Sequence, residues 1–93
     1  MTDEGVAVSE SLLEFPCEFP IKVMGHAAAD FDALVVSLVR IHVPELGEGA
    51  VRTRTSSGGK YLAVTVTVRV TSQDQLDSIY RELSGHRRVL MVL

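Results

Sequence analysis

Among these 93 residues there is one cysteine, no tryptophan and only five aromatic side chains. A lone Cys17 excludes an intramolecular disulfide and makes a reducing cytoplasm the expected compartment. No apolar run approaches the roughly 20 residues that a membrane span requires. The amino terminus has neither the basic stretch nor the apolar stretch of a secretory signal, so none is expected. With so few aromatics, the core has to be assembled from Val, Leu, Ile and Ala. A chain of this length suits one small domain that can bury a single core without covalent staples.

Charge is scarce in one place and of one sign there. Residues 1–21 carry Asp3, Glu4, Glu10, Glu14 and Glu18 but no Lys or Arg; all nine basic residues fall in 22–93, against seven acidic ones. Residues 1–14 show no sustained period and read as an acidic, mobile leader to a single domain over 15–93. As a solvated tail the leader favours solubility; as an arm it could instead cross a basic surface.

What is present is patterned. Phe15-Pro16 and Phe19-Pro20 force an extended or turned entry. Ile21–Met24 reads as a short strand stopped by Gly25. Asp30 is placed to cap a helix through about Val43, with Asp32 in its first turn. Phe31, Leu34, Val35, Leu38 and His42 make one helical stripe, which Val36, Val39 and Val43 widen beyond what one sheet needs to cover. Pro44 limits that helix.

Val51–Thr55 reads as a second strand, and Ser56-Ser57-Gly58-Gly59 as a hairpin link. Tyr61–Val70 alternates strictly. Leu62, Val64, Val66, Val68 and Val70 point to one side, and Tyr61, Ala63, Thr65, Thr67 and Arg69 to the other. Ser72 caps a second helix with Gln75 as its capping-box partner. Leu76, Ile79, Tyr80 and Leu83 form its apolar stripe, Asp77 and Arg81 can pair, and Gly85 ends it. Val89–Leu93 is an apolar closing strand.

The order strand, helix, strand, strand, helix, strand predicts an α+β ferredoxin-like βαββαβ plait. Its four-stranded antiparallel sheet carries two helices on one face, the first strand is central and the last lies at an edge beside it. An apolar edge strand calls for cover, by dimerisation or by the leader.

Three separated motifs carry a family resemblance. Phe15-Pro16-x-x-Phe19-Pro20-Ile21-Lys22-Val23-Met24-Gly25, Ser56-Ser57-x-Gly59-Lys60-Tyr61 and the terminal Met91-Val92-Leu93 make residues 14–93 resemble the YbeD-like family of small bacterial proteins of unknown function. The resemblance implies a plait similar to the ACT-type regulatory domain, in a cytosolic protein without established activity. It also offers an associational link to lipoate synthesis. By analogy with ACT-like domains, Gly25, His26 and Asp30 at the junction of first strand and first helix become candidate contacts for a small amino-acid or acyl ligand. Backbone N–H groups there can hold a carboxylate, and glycine permits close approach. The plainer reading is a turn glycine and a capping aspartate.

A second candidate surface gathers Lys22, Arg52, Arg54, Lys60, Tyr61 and Arg69 on the polar sheet face. Gly59–Val64 resembles the RNA-recognition strand motif, yet only Tyr61 offers a stacking ring, which argues against nucleic acid. Catalysis has the least support. His26, His42 and His86 fall on different elements without metal-ligand spacing, and nothing activates Cys17. The phosphate-binding loop of acylphosphatases, which share the plait, is not found after the first strand. No metal, cofactor or membrane is implied. The expectation is a non-enzymatic regulatory or protein-interaction module, homodimeric or bound to another protein, with small-molecule sensing and then RNA binding as the alternatives.

Overall fold

The computed structural model describes residues 14–93. The expected leader over 1–14 lies, apart from Glu14, outside the described residues. Six elements follow in chain order: β1 (Cys17–His26), α1 (Phe31–Arg40), β2 (Val51–Thr55), β3 (Tyr61–Val70), α2 (Gln73–Ser84) and β4 (Val89–Val92). The strands form one antiparallel sheet in the order β2-β3-β1-β4, which is the expected plait.

The first strand is much longer than its apolar tetrad suggests. Cys17 pairs with Val70 and His26 with Tyr61, so β1 runs the whole length of β3. Phe19, Ile21, Val23 and Gly25 face the helices, while Pro20, Lys22, Met24 and His26 face away. Pro20 does not break the strand because of where its missing donor would point. Lys22 exchanges two backbone hydrogen bonds with Leu93, at 3.2 and 2.8 Å, so the even residues of β1 direct their N–H groups toward β4. Pro20 lies beyond the end of β4, and no ladder bond is lost there. Gly25 does not end the strand either. Pairing with β4 slips between Met24 and Gly25, which lies opposite Val89, and β1 continues to His26.

The core lies between the sheet and the two helices. Ile21 and Val23 from β1, Val64, Val66, Val68 and Val70 from β3, Phe31, Val35 and Val39 from α1, and Leu76, Ile79 and Leu83 from α2 are buried. Val43 and Leu46, in the connection after α1, are buried with them. Much of the excess apolar width of α1 is thereby absorbed inside the domain. Regular helix ends at Arg40, earlier than the expected Val43, although the Val43 N–H still bonds the Val39 carbonyl at 2.9 Å. The Arg40 guanidinium folds over this turn and donates to the Leu46 carbonyl through two nitrogens, at 3.1 and 2.8 Å.

Local signals elsewhere translate with small shifts. Ser72 Oγ accepts from the Gln75 N–H (3.1 Å), but the reciprocal bond reaches one residue further back, from the Thr71 N–H to Gln75 Oε1 (2.7 Å). The expected Asp77–Arg81 pair is replaced: Asp77 accepts from Gln73, and Arg81 donates to Ser78. In the β2–β3 link only Gly59 adopts positive φ, at 74°. That left-handed turn is why glycine serves there.

Candidate functional site

Two surfaces were expected to carry function, and the structure treats them differently. At the β1–α1 junction Gly25 is absorbed into packing, while His26 and Asp30 stand at the surface. Gly25 is buried, and a Cβ built on it would lie 2.4 Å from the Phe31 ring and 2.7 Å from the Arg88 carbonyl oxygen. The glycine thus lets the Phe31 ring and the α2–β4 connection close on the strand. Asp30 does not cap α1 through its side chain; its carboxylate turns to Arg88, accepting two hydrogen bonds at 3.1 and 2.8 Å. This bidentate fork is geometrically better than a cap bond and joins residues 58 apart. The Arg88 guanidinium also lies 6.0 Å from the Phe31 ring centroid. His26 is exposed and stacks on Tyr61, with ring centroids 5.3 Å apart. Beside it, a crevice of about 390 Å³ is lined by His26, Ala28, Arg87 and Arg88.

The Arg88 hydrogen bonds and charge hold the Asp30 carboxyl below its ordinary value of 3.8. Since the folded-state value is depressed, any stabilisation from this exposed pair is present above the ordinary value and disappears as pH falls through the lowered one. A carboxyl-carbon NMR titration should therefore show Asp30 titrating below 3.8, and Arg88→Gln should return it toward that value. An Asp30 titration unchanged by Arg88→Gln would show that the pair does not hold in solution.

The second surface is the sheet face away from the helices. Register puts Leu93, Lys22, Thr65 and Arg52 in one cross-strand row, and Met91, Met24, Ala63 and Arg54 in the next. His26 and Tyr61 stand beyond them at one end, Pro20 with Thr67 and Glu18 with Arg69 at the other. Five of the six expected polar residues, Lys22, Arg52, Arg54, Tyr61 and Arg69, do share this face. Lys60 sits in the hairpin turn before β3 and instead lends its carbonyl to the Ala27 N–H (2.9 Å). Sequence alone placed Ala63 on this face but missed the apolar residues beside it, Met24, Met91 and Leu93. The alternation of Cys17, Phe19, Ile21 and Val23 was the available signal for them, obscured by Pro20.

The face is therefore divided, with cations along β2 and apolar side chains toward β4. Leu90, Met91 and Leu93 are 51, 49 and 59% exposed, and with Ile41 and Tyr61 they are the exposed large hydrophobics of the described residues. The remaining histidines are structural: His42 Nε2 lies 3.1 Å from Glu82, and His86 Nδ1 accepts from the Arg88 N–H. Cys17 is half-buried against the core. Among the described residues no three or more His, Cys, Asp or Glu side chains gather as metal ligands, and no helix is long and apolar enough to cross a membrane.

This topology defines a ferredoxin-like βαββαβ plait with ACT-like neighbours in fold. Two solved structures are similar to it in fold. Protein HP0495 from H. pylori matches with a TM-score of 0.71 at 16% identity, covering 87% of this chain and 85% of that one. The ACT domain from the GTP pyrophosphokinase of Chlorobium tepidum matches with a TM-score of 0.61 at 13% identity, covering 82% and 84%. The chain itself belongs to the UPF0250 family, also described as a protein of unknown function (DUF493), whose model matches residues 10–93. A UPF0250 protein of Paraburkholderia phytofirmans is 53% identical over 94% of this chain and 98% of its own length. Another, from Chromobacterium violaceum, is 48% identical over the full length of both. The resemblance to YbeD-like proteins agrees with this membership.

Proposed function

We propose that this protein is a non-catalytic interaction module of the cytoplasm that associates through β4, with a second copy of itself as the partner. One observation carries the reading: of the five exposed large hydrophobics, Leu90, Met91 and Leu93 lie together at one sheet edge. Such an edge offers unpaired backbone groups beside apolar side chains, a combination that folded proteins usually cover. Antiparallel pairing of two β4 strands would cover it and join the two apolar half-faces. Sedimentation velocity over rising concentration should show a monomer–dimer equilibrium. Replacing both Met91 and Leu93 by Glu should weaken it at least tenfold while leaving the circular dichroism spectrum unchanged. A wild-type chain that stays monomeric at millimolar concentration overturns the homodimer.

A second reading, small-ligand sensing, is favoured by the crevice between His26, Ala28, Arg87 and Arg88, where a carboxylate would meet Arg87 beside the Arg88–Asp30 pair. Calorimetric titration with amino acids, octanoate and lipoate tests it. Saturable heat that Arg87→Ala removes supports ligand binding, and its absence across the panel rejects it.

A further inference from the structure

The opposite edge of the sheet is built differently. Strand β2 is also an edge strand, and between it and α1 lies a groove of about 710 Å³. Val36, Ala33 and Val51 supply its apolar lining, and Asp32 and Glu48 are its acidic members. Arg40, which also lines it, is held by the Leu46 carbonyl.

The hydrogen-bond phase of β2 can be assigned. Ser56 donates to the Tyr61 carbonyl (2.8 Å), directly across the hairpin. Hydrogen-bonded pairs alternate along an antiparallel ladder, so Arg54 and Arg52 bond inward to Ala63 and Thr65. Thr53 and Thr55 then turn their N–H and C=O groups outward, along the groove, while the Val51 N–H is already taken by the Glu48 carbonyl. Side chains obey the same alternation. Val51 and Thr53 face the groove, while Arg52 and Arg54 stand on the open face, exposed and without an ion-pair partner among the described residues.

We propose that this groove receives an extended segment of a partner protein, added as a fifth strand beside β2, in which apolar residues alternate with acidic ones. Backbone pairing to Thr53 and Thr55 would supply the docking frame, as in other strand-addition complexes. Alternate side chains would then divide between two environments. Those entering the groove meet Val36 and Val51, where Asp32 and Glu48 outnumber the single cation Arg40 and disfavour a carboxylate. Those on the open face lie directly across from Arg52 and Arg54, where a carboxylate is favoured and a cation is not. Charge thus selects both the composition and the register of the incoming strand. The five residues of β2 would match a core segment of about five residues.

The probe is a fluorescein-labelled Gly-Val-Glu-Val-Glu-Val-Gly peptide, read by anisotropy and by amide chemical shifts of the full chain. Controls are the same peptide with Lys for Glu, a block isomer with three Val followed by two Glu, and an eight-nucleotide uridine RNA. The alternating acidic peptide should bind at least tenfold more tightly than either control peptide and shift the Thr53 and Thr55 amides most. Arg52→Glu with Arg54→Glu should reduce its affinity at least tenfold. Thr53→Pro removes only an outward-facing N–H, the position where an edge strand accepts proline, and should abolish binding with the fold retained. Should that variant fail to fold, Val36→Arg, which fills the groove, serves in its place. Equal binding of acidic and basic peptides, shifts confined to β4, or RNA binding indifferent to Thr53→Pro would each overturn the proposal. So would concentration-dependent protection of the Thr53 and Thr55 amides without peptide, which would give β2 to a second copy.

Discussion

Replacing Phe31 with alanine is expected to remove about 4 kcal/mol of stability. The ring is fully buried and is the largest such side chain in the described core. It fills the end of the domain where β1 leaves the sheet, resting on Gly25 with Arg88 above it. Truncation would leave a cavity that cannot collapse easily, because backbone surrounds it on the Gly25 and Arg88 sides. Domains of this size have total stabilities on the order of 5–15 kcal/mol, so the variant should stand close to unfolding at body temperature. Urea denaturation followed by circular dichroism measures the loss. A change below about 1 kcal/mol would mean that the ring is not packed as described.

Gly25→Ala is the second large effect, an expected loss of about 3 kcal/mol from adding one methyl group. Overpacking usually relaxes when the obstructing atom is the end of a flexible side chain. Here one obstruction is a buried aromatic ring at 2.4 Å and the other a backbone oxygen at 2.7 Å. The two substitutions should not add. With Phe31 already truncated, the methyl group at position 25 meets only the Arg88 carbonyl, so its cost should fall by about 1 kcal/mol or more. A double-mutant cycle reads this coupling directly. Strict additivity would separate the glycine from the ring and reopen the junction as a place where a ligand could sit on Gly25.

How much of this was legible in the sequence follows from the range of each interaction. Tyr61–Val70 declared its two faces because strand alternation is local, and Ser72 with Gln75 declared a helix start for the same reason. The plait followed from the order of elements. The length of β1 did not, because Pro20 and Gly25 are local breakers that only tertiary placement excuses: one lies past the end of β4, the other beneath Phe31. Asp30 holds the expected N-cap position, but its side chain makes no cap bond because its partner, Arg88, lies 58 residues away. The cations of the open face were legible from alternation in β2 and β3. Its apolar half required the register of β4 against β1, which no single strand encodes.

Pro20 has one more consequence. Strand β4 stops short of the outer half of β1, so backbone at Glu18 and Pro20 faces the side that β4 leaves uncovered. A stretch of central strand left without a neighbour among the described residues would be open to pairing by foreign chains. A carboxylate at Glu18 and an absent donor at Pro20 make that stretch a poor template. The proline that hides the first strand from a reader of the sequence also makes its outer half a poor template for other strands.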